Sequence, residues 1–255
     1  MKKTIDLNCD MGESYGVYRL GEDQAAMPLI SSANVACGFH ASDPDNMWQT
    51  VQLAKKHGVA VGAHPAYPDL VGFGRRQMAL SDTEIEAAML YQLGALQGFC
   101  RAEGVKMHHV KAHGALYNKA EKDADTAMAI AKAIQKFDPS LIMVCMAGSV
   151  MVEAAKSIGL PYAQEVFADR AYTAQGTLVA RKLPGAVIHD LNEVVARVMQ
   201  MVEKQTVTTI DGQELPLCAD TVCVHGDTPG AVEMIARIRH ALEAAGFAVQ
   251  AMGSR

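Results

Sequence analysis

The chain has 255 residues and a formal charge of −5, with 50% of its residues apolar and 20% charged. This composition is typical of a globular protein and excludes a disordered or collagen-like chain. The small negative charge offers no basic surface for nucleic acid or for an anionic membrane, so neither is expected as a partner. No apolar run reaches the roughly 18 residues that a membrane span needs.

The N-terminus and the cysteines indicate a cytoplasmic protein. The first residues, MKKTIDLNCDMGE, become acidic early and lack the apolar segment of a signal peptide. The cysteines are scattered and form no Cys-x-x-Cys pair: they are Cys9, Cys37, Cys100, Cys145, Cys218 and Cys223. We therefore expect reduced, buried thiols.

Short apolar segments alternate with longer amphipathic ones along the chain. Strands are predicted at Lys3–Asn8, Leu29–Ala36, Val59–Ala63, Met107–Ala112, Leu141–Met146, Tyr162–Phe167 and Thr221–Val224, with a weaker one at Phe247–Ala251. Helices with recognisable caps are predicted from Asp43-Pro44 to Gly58, from the capping box at Ser81–Glu84 to Gly104, and from Thr228-Pro229 to Gly246. Repeating strand–helix units imply a parallel sheet. Seven or eight units in about 250 residues favour a closed (β/α) barrel, with an open doubly wound sheet as the alternative.

The stretch from Asp169 to Ala219 departs from this alternation. Gly176–Ile188 and Val207–Leu217 have the pattern of hairpins, the second around the turn pair Asp211-Gly212. A helix is predicted between them at Asp190–Lys204. We interpret residues 169–219 as an insertion at one end of the barrel, within a single domain that spans residues 1–255.

Polar side chains follow nearly every predicted strand. The active site of a parallel α/β protein lies at the carboxyl ends of its strands, so these side chains are the candidates for a site. In chain order they are Asp6, Asn8, Asp10, Glu13, His40, His64, Lys111, His113, Glu165, Arg170, His225 and Asp227. Because side chains alternate along a strand, Asp6, Asn8 and Asp10 share one face. If this face points into a barrel, the polar groups converge at its mouth.

Two kinds of chemistry suit these groups. Asp10, His40 and His64 follow three successive strands and could bind a divalent metal that activates water or polarises a carbonyl. Without a metal, Asp10 would serve as general base, with histidine and lysine side chains as acids and charge stabilisers. The sequence has no P-loop, no dinucleotide-binding fingerprint and no GxSxG elbow. The pair Arg75-Arg76 could hold a phosphate or a carboxylate.

Six segments at these strand ends resemble the LamB/YcsF family, which comprises the A subunits of bacterial 5-oxoprolinases. The segments are Asp6–Glu13 (DLNCDMGE), Ala33–Pro44 (ANVACGFHASDP), Gly62–Pro65 (GAHP), Lys111–Tyr117 (KAHGALY), Glu165–Arg170 (EVFADR) and Val224–Asp227 (VHGD). The resemblance covers essentially the whole chain. It implies a seven-stranded, TIM-barrel-like (β/α) fold related to the glycoside hydrolases and polysaccharide deacetylases.

The resemblance also implies an activity, the ATP-dependent opening of 5-oxo-L-proline to L-glutamate in a complex with partner subunits B and C. ATP with its Mg²⁺ would serve the complex, and the missing P-loop fits a division of labour in which B and C handle the nucleotide. In the deacetylases the first strand ends in adjacent aspartates, a base and a metal ligand. Asp10 corresponds to the base and Met11 to the ligand, which weakens a deacetylase-type metal site.

Roles within this activity follow from strand-end position. Asp10, His64, Lys111 and His113 are predicted to be catalytic, with Asp10 as the base for water and Lys111 holding carboxylate or phosphate charge. The residues predicted to bind substrate or phosphate are Asp6, Asn8, Glu13, His40, Glu165, Arg170, His225 and Asp227. Two other functions stay open: a stand-alone metal-dependent amide or carbohydrate deacetylase-type hydrolase, and a non-catalytic subunit of lactam utilisation. The sequence also leaves open whether the chain forms a homo-oligomer.

Overall fold

The computed structural model of the protein describes residues 3–224, 226 and 230–253. Seven parallel strands close into a barrel, in the ring order β1 (Thr4–Met11), β2 (Ser32–Ala36), β3 (Ala60–His64), β4 (Met107–Val110), β5 (Ile142–Met146), β6 (Tyr162–Phe167) and β9 (Thr221–Val224). Strand β9 pairs with both β6 and β1, which completes the ring. The predicted barrel is confirmed, and the open-sheet alternative is wrong.

Helices connect the strands and cover the outside of the barrel. They are α1 (Asp23–Ala26), α2 (Pro44–His57), α3 (Asp82–Glu103), α4 (Gly114–Ala120), α5 (Ala124–Phe137), α6 (Val150–Ser157), α7 (Leu191–Met199) and α8 (Ala231–Ala244). Helix α2 begins after Asp43, whose side chain accepts from the backbone N–H of Asn46. Helix α3 begins with the predicted capping box of Ser81 and Glu84. Among the described residues, no helix combines the length and apolar character that crossing a bilayer requires.

The largest differences from the predicted strand boundaries occur at the start of β2 and at the end of β1. The apolar run Leu29–Ala36 predicts one strand, but Met27–Leu29 forms a 3₁₀ turn and β2 begins only at Ser32. Pro28 lies in this turn, and a proline has no N–H to give to a sheet. Strand β1 continues past the predicted end to Met11, which pairs with Val35 of β2.

The insertion between β6 and β9 contains one regular hairpin. Strands β7 (Thr206–Thr208) and β8 (Glu214–Pro216) pair antiparallel, in the segment for which the sequence predicts the second hairpin. Helix α7 continues into a π-helical turn at Gln200–Lys204. After α8, the short strand β10 (Ala248–Val249) pairs with the start of β1.

The other predicted hairpin, Gly176–Ile188, does not form. This segment instead folds back onto the chain that precedes it, through isolated bridges from Arg170 to Val187 and from Tyr172 to Leu178. The arrangement places residues 178–182 beside the carboxyl ends of the barrel strands, where they line a cavity. The insertion therefore forms part of the mouth of the barrel.

The two faces of β1 separate an apolar shell from a polar interior. Ile5, Leu7, Cys9 and Met11 belong to the hydrophobic core between strands and helices. Asp6, Asn8 and Asp10 form hydrogen bonds with side chains from other strands inside the barrel. All six cysteines are free thiols and five of them are buried. The predicted alternation along β1 thus carries its acidic residues into the centre.

Candidate active site

A cavity of about 440 Å³ opens at the carboxyl ends of the barrel strands. Asp10, Glu13, His64, Lys111 and His113 line it, and all five are buried. Its lining also contains five further cationic side chains: Arg75, Lys122, Arg170, Arg181 and Lys182. Clustered positive charge at the entrance to a cleft attracts anionic ligands.

Lys111 lies between two carboxylates at the inner end of the cavity. Its Nζ is 3.0 Å from Asp10 Oδ1 and 2.9 Å from Glu165 Oε1. Burial by itself would lower the pKa of Lys111, but the carboxylates of Asp10 and Glu165 raise it well above its ordinary value. The ammonium therefore stays charged between the two carboxyl groups.

The Lys111 ammonium donates its hydrogens to atoms of the protein itself. Besides Asp10 and Glu165, Nζ donates to Cys223 Sγ at 3.0 Å, and an ammonium has three hydrogens to give. The sequence predicts that Lys111 holds substrate carboxylate or phosphate charge. In the structure the Lys111 ammonium bridges Asp10 and Glu165 and holds them in place, while its contact with a ligand stays a prediction.

Asp10 is fixed on both carboxylate oxygens and faces the cavity. Oδ1 accepts from Lys111 Nζ and, at 2.9 Å, from Asn34 Nδ2. Oδ2 lies 3.4 Å from His64 Nε2. A carboxylate with a fixed orientation at the edge of a ligand cavity suits a general base, because proton transfer needs a base within hydrogen-bond reach of water or substrate.

Two imidazoles are held by backbone carbonyls beside Asp10. His64 Nδ1 lies 2.7 Å from the Lys111 carbonyl oxygen, and His113 Nε2 lies 2.9 Å from the Phe73 carbonyl oxygen. Their other nitrogens face each other, with His113 Nδ1 3.0 Å from His64 Nε2. Burial lowers the pKa of His113 to about 3, so this imidazole is neutral.

His40 and Glu13 complete the cluster of histidines. His40 Nε2 lies 3.1 Å from Glu13 Oε1, and the His40 ring stacks on His113 with 3.8 Å between ring centroids. Burial, together with the neighbouring imidazoles of His113 and His64, lowers the pKa of His40 well below its ordinary value. One donor atom from each of the four residues Glu13, His40, His64 and His113 lies within 4.8 Å of the others, so this cluster is where a metal ion would fit.

The loop Gly72–Arg76 covers the imidazoles, and two glycines allow its close approach. Gly74 and Gly114 both have positive φ, and a Cβ on Gly74 would lie 2.8 Å from the His113 ring. A Cβ on Gly114 would lie 2.7 Å from the Gly74 carbonyl oxygen. Only residues without a side chain fit this contact in this backbone conformation.

The two residues of the pair Arg75-Arg76 have different roles. Arg76 forms an ion pair with Asp69, which also accepts from the backbone N–H of Gly72 and thereby shapes the loop. Arg75 lines the cavity, and its guanidinium lies 4.9 Å from the centroid of the Phe73 ring. Of the two, Arg75 is the one placed to meet an anionic ligand.

Several predicted substrate-binding residues do not line the cavity: Asp6, Asn8, His40 and Glu165. Asp6 accepts from Ser31, Ser32 and Thr221, and burial raises its pKa to about 6. Asn8 donates to Glu165 Oε1 at 3.1 Å. The polar atoms of Asp6, Asn8 and Glu165 are already used in hydrogen bonds inside the barrel, so these residues support the ones that face the cavity. His225 and Asp227 lie outside the described residues.

Arg170, predicted to bind substrate or phosphate, lines the cavity and also anchors the insertion. Its guanidinium donates to the carbonyl oxygens of Val179 and Ala186, at 2.7 and 3.3 Å. Burial and the neighbouring Arg181 lower its pKa to about 10. It still carries its positive charge at neutral pH and adds to the charge of the mouth.

The sequence-based site omits residues that matter to its geometry. Asn34 bonds Asp10 and Asn8, and the Tyr117 hydroxyl donates to Glu165 Oε2 at 2.8 Å. Asn34 could have been found, because it follows Ser32 by two residues and shares its face of β2. Arg181 and Lys182 could not, because they come from an irregular segment whose place in the fold has no periodic signal.

Comparisons with known proteins agree with this architecture. The sequence model of the LamB/YcsF family matches residues 5–255. The A subunit of the 5-oxoprolinase from Syntrophobacter fumaroxidans is 54% identical over 250 residues, which cover 98% of this chain and 99% of the relative. The crystal structure of a lactam utilization protein from Thermus thermophilus superimposes with a TM-score of 0.93 at 51% identity, covering 98% of this chain and 100% of that one.

A more distant structure shares the fold alone. A family 4 carbohydrate esterase from Streptomyces lividans superimposes with a TM-score of 0.53 at 14% identity, covering 97% of this chain and 91% of the esterase. At this identity the likeness concerns the barrel fold and not the activity. With a family match along nearly the whole chain and relatives more than half identical, the chain belongs to the LamB/YcsF family.

Proposed function

We propose that this chain is the lactam-opening subunit of an ATP-dependent 5-oxoprolinase, acting with partner subunits B and C. The observation that carries the proposal is Asp10, fixed by Lys111 at the inner end of a cavity with a cationic entrance. The names of the relatives point to the same activity. The cationic entrance suits 5-oxo-L-proline, which carries a carboxylate, and suits a phosphorylated form of it even better.

The chemistry explains why ATP is needed. A lactam is an amide whose C–N bond has partial double-bond character, so water attacks it slowly. Transfer of the γ-phosphoryl group of ATP to the lactam oxygen releases ADP and makes the ring carbon electrophilic. Water then adds to that carbon, the ring C–N bond breaks, and the nitrogen takes a proton. The resulting acyl phosphate reacts with a second water, which gives L-glutamate and phosphate.

The residues of the cavity divide these tasks. Asp10 accepts the proton of the attacking water and returns it to the departing nitrogen. Lys111 orients Asp10 through their 3.0 Å contact. Arg75, Arg170 and Arg181 bind the carboxylate and phosphate groups of the ligand. The loop Gly72–Arg76 and the insertion enclose the reacting ring and limit its contact with bulk water.

ATP and its Mg²⁺ are assigned to the partner subunits, because this sequence has no P-loop. An ATP-dependent reaction together with six free thiols fits the cytoplasm. The phosphorylated lactam would then pass between active centres within the complex.

The test is Asp10→Asn in the reconstituted complex. We expect the release of glutamate from 5-oxo-L-proline to fall by about 10²–10⁴-fold, the range that general base catalysis contributes. Asp125→Asn, which removes an exposed carboxylate on α5, is the matched control and should retain full activity. Circular dichroism should show that both variants are folded. Retention of most activity by Asp10→Asn would remove Asp10 from the mechanism.

The cluster of three histidines and Glu13 favours one alternative, a stand-alone metal-dependent hydrolase. An assay of this chain without partners and without ATP separates the two functions. We expect no turnover of 5-oxo-L-proline in that assay. Amide or acetyl ester hydrolysis by the chain alone, dependent on a divalent metal, would establish the alternative and contradict the division of labour.

A further inference from the structure

We infer that Glu13, His40, His64 and His113 form a binding site for one divalent transition-metal ion of the Zn²⁺ class, beside Asp10 at the inner end of the cavity. Each residue offers one donor atom, all four donors lie within 4.8 Å of one another, and all four side chains are buried. The site follows from the geometry of the donors and holds whether or not the substrate of the cavity is a lactam.

The first argument concerns the protons of His64 and His113. A carbonyl oxygen can only accept, so His64 Nδ1 and His113 Nε2 each carry a hydrogen and donate it to the backbone. In neutral imidazoles this leaves lone pairs on His64 Nε2 and His113 Nδ1. These two atoms face each other at 3.0 Å. Two lone pairs at this distance repel unless a cation lies between or beside them.

The second argument distinguishes a metal ion from a proton. One proton shared by two imidazoles would need only two acceptors. Here Glu13 Oε1 lies 3.7 Å from His113 Nδ1 and 3.1 Å from His40 Nε2, so a third and a fourth donor converge on the same place. Donors that sit about 2.0–2.1 Å from a tetrahedral Zn²⁺ lie roughly 3.3–3.4 Å apart. Three of the six separations, 3.0, 3.1 and 3.7 Å, fall around this value, and all six are within 4.8 Å.

The surroundings match those of a metal-binding histidine. Such a histidine commonly donates its second ring N–H to a carbonyl or carboxylate, which fixes the tautomer that coordinates. His64 and His113 both do so, through the carbonyl oxygens of Lys111 and Phe73. The glycine-rich loop Gly72–Arg76 packs over the same rings and excludes bulk water from one side.

The donor set also selects the ion. Three imidazole nitrogens and one carboxylate oxygen suit Zn²⁺ and its neighbours, whereas Mg²⁺ and Ca²⁺ prefer oxygen ligands. The ion is therefore different from the Mg²⁺ that accompanies ATP. When bound, it would supply Lewis acidity next to Asp10.

The set differs from the one predicted from the sequence, which combined Asp10 with His40 and His64. Asp10 Oδ1 accepts from Lys111 and Asn34, and Oδ2 lies 3.4 Å from His64 Nε2, but Asp10 is not among the four residues whose donor atoms all lie within 4.8 Å of one another. Glu13 supplies the anionic donor instead, two residues after the end of β1. Met11, which corresponds to the metal ligand of the deacetylases, is buried in the apolar core.

The experiment measures binding without substrate or partners. The chain is depleted of metal, titrated with Zn²⁺ in competition with a chromophoric chelator, and analysed for bound metal after gel filtration. We expect one Zn²⁺ per chain, a higher melting temperature with the ion bound, and a visible spectrum typical of tetrahedral coordination when Co²⁺ replaces Zn²⁺. Glu13→Gln and His113→Gln should each weaken binding by about 100-fold or more. His57→Gln, which removes an exposed imidazole on α2, should bind as the unchanged protein does.

Two outcomes would overturn the site. First, the unchanged protein does not take up one Zn²⁺ per chain. The cation between His64 and His113 would then be a shared proton and not a metal ion. Second, equal affinity in Glu13→Gln, which preserves shape, and in the unchanged protein would show that Zn²⁺ binds elsewhere. Because no lactam is present, neither outcome bears on 5-oxoprolinase activity, and loss of that activity would not affect the metal site.

Discussion

The inside of the barrel has two polar layers that use similar side chains for different purposes. The lower layer consists of Asp6, Asn8, Ser32, His109 and Thr221, and the upper layer consists of Asp10, His64, Lys111 and His113. No residue of the lower layer lines the cavity, whereas every residue of the upper layer does. Both layers are buried, so burial alone does not distinguish a structural polar group from a reactive one.

Charge and hydrogen-bond partners make the distinction. In the lower layer, Asp6 has a raised pKa and accepts three hydroxyl bonds, while burial lowers the pKa of His109 well below its ordinary value. The imidazole of His109 is therefore neutral, and both groups have hydrogen-bond partners, as a buried polar core requires. In the upper layer, the Lys111 ammonium stays charged, and its Nζ lies within 3.0 Å of the carboxylate oxygens of Asp10 and Glu165.

Asn34 connects the two layers in one orientation. A carboxylate can only accept, so the amide nitrogen of Asn34 faces Asp10 and its oxygen faces His109 Nε2, at 2.9 and 2.8 Å. His109 therefore donates to Asn34 through its Nε2 hydrogen. The lower layer thus orients Asp10 through a chain of neutral hydrogen bonds, without contact with any ligand in the cavity.

Lys111→Met breaks the upper layer and has the largest expected effect. It leaves Asp10 and Glu165 buried without their common cation, and removal of one partner of a buried ion pair costs about 3–5 kcal/mol. We expect urea denaturation to show a loss of this size, together with loss of activity in the complex. If the variant is as stable as the unchanged protein, the two carboxylates are not both ionised.

A double variant sharpens this result. In Lys111→Met/Glu165→Gln one of the two unpaired carboxylates becomes neutral, so part of the lost stability should return. Activity should stay absent, because Asp10 still lacks the group that orients it. Recovery of stability without activity would separate the structural contribution of Lys111 from its contribution to the reaction.

Asp6→Asn tests the lower layer through the pH dependence of stability. Burial, and to a smaller extent the nearby Glu165 carboxylate, raises the pKa of Asp6 from 3.8 to about 6 in the folded chain. Between these values the unfolded chain loses the proton while the folded chain keeps it. The contribution of Asp6 to the free energy of unfolding should therefore fall as the pH rises from about 4 to 6, by at most about 3 kcal/mol, and stay constant above that. The buried imidazoles of His40, His109 and His113 contribute with the opposite sign, so the contribution of Asp6 is measured as the difference from Asp6→Asn.

Denaturation of both proteins across this pH range checks the prediction. In Asp6→Asn the contribution of this carboxyl group disappears, so the variant gains stability relative to the unchanged protein as the pH rises. Asp125→Asn removes a carboxylate from the surface and should follow the unchanged protein, because Asp6 is intact. A constant difference between Asp6→Asn and the unchanged protein would mean that Asp6 titrates alike in both states.

The strands and helices were predictable because their signals are local. Seven apolar segments with caps between them led to the barrel, and alternation along β1 led to Asp6, Asn8 and Asp10 on the inner face. Position along a strand, however, does not reveal depth within the barrel. Asp6 and Asp10 lie four residues apart on one face, yet only Asp10 reaches the cavity.

The parts of the site that escaped prediction depend on contacts between distant segments. Lys111 meets Glu165 and Cys223 only because β4, β6 and β9 close into a ring. The cationic entrance depends on Arg181 and Lys182, whose irregular segment has neither a period of 2 nor one of 3.6. The pairing of Glu13 with His40 likewise needs the tertiary fold, although the sequence identifies both residues as candidates.

Two glycine substitutions give the smallest expected effects, of opposite sign. A Cβ on Gly62 of β3 would lie 2.1 Å from His109 Nε2, so Gly62→Ala forces this imidazole away from Asn34. Overpacking of this kind costs about 1–3 kcal/mol. Gly94, in the middle of α3, is exposed and has open space around it, so Gly94→Ala should stabilise the protein by up to about 1 kcal/mol.

Activity measurements on the same two variants show whether the lower layer orients Asp10. Displacement of His109 removes the donor that fixes the Asn34 amide, so Gly62→Ala should lower kcat of the complex even at temperatures where it is fully folded. Gly94→Ala lies outside the barrel and should leave kcat unchanged. If Gly62→Ala keeps the full kcat, the lower layer contributes to stability alone, and Lys111 is sufficient to orient Asp10.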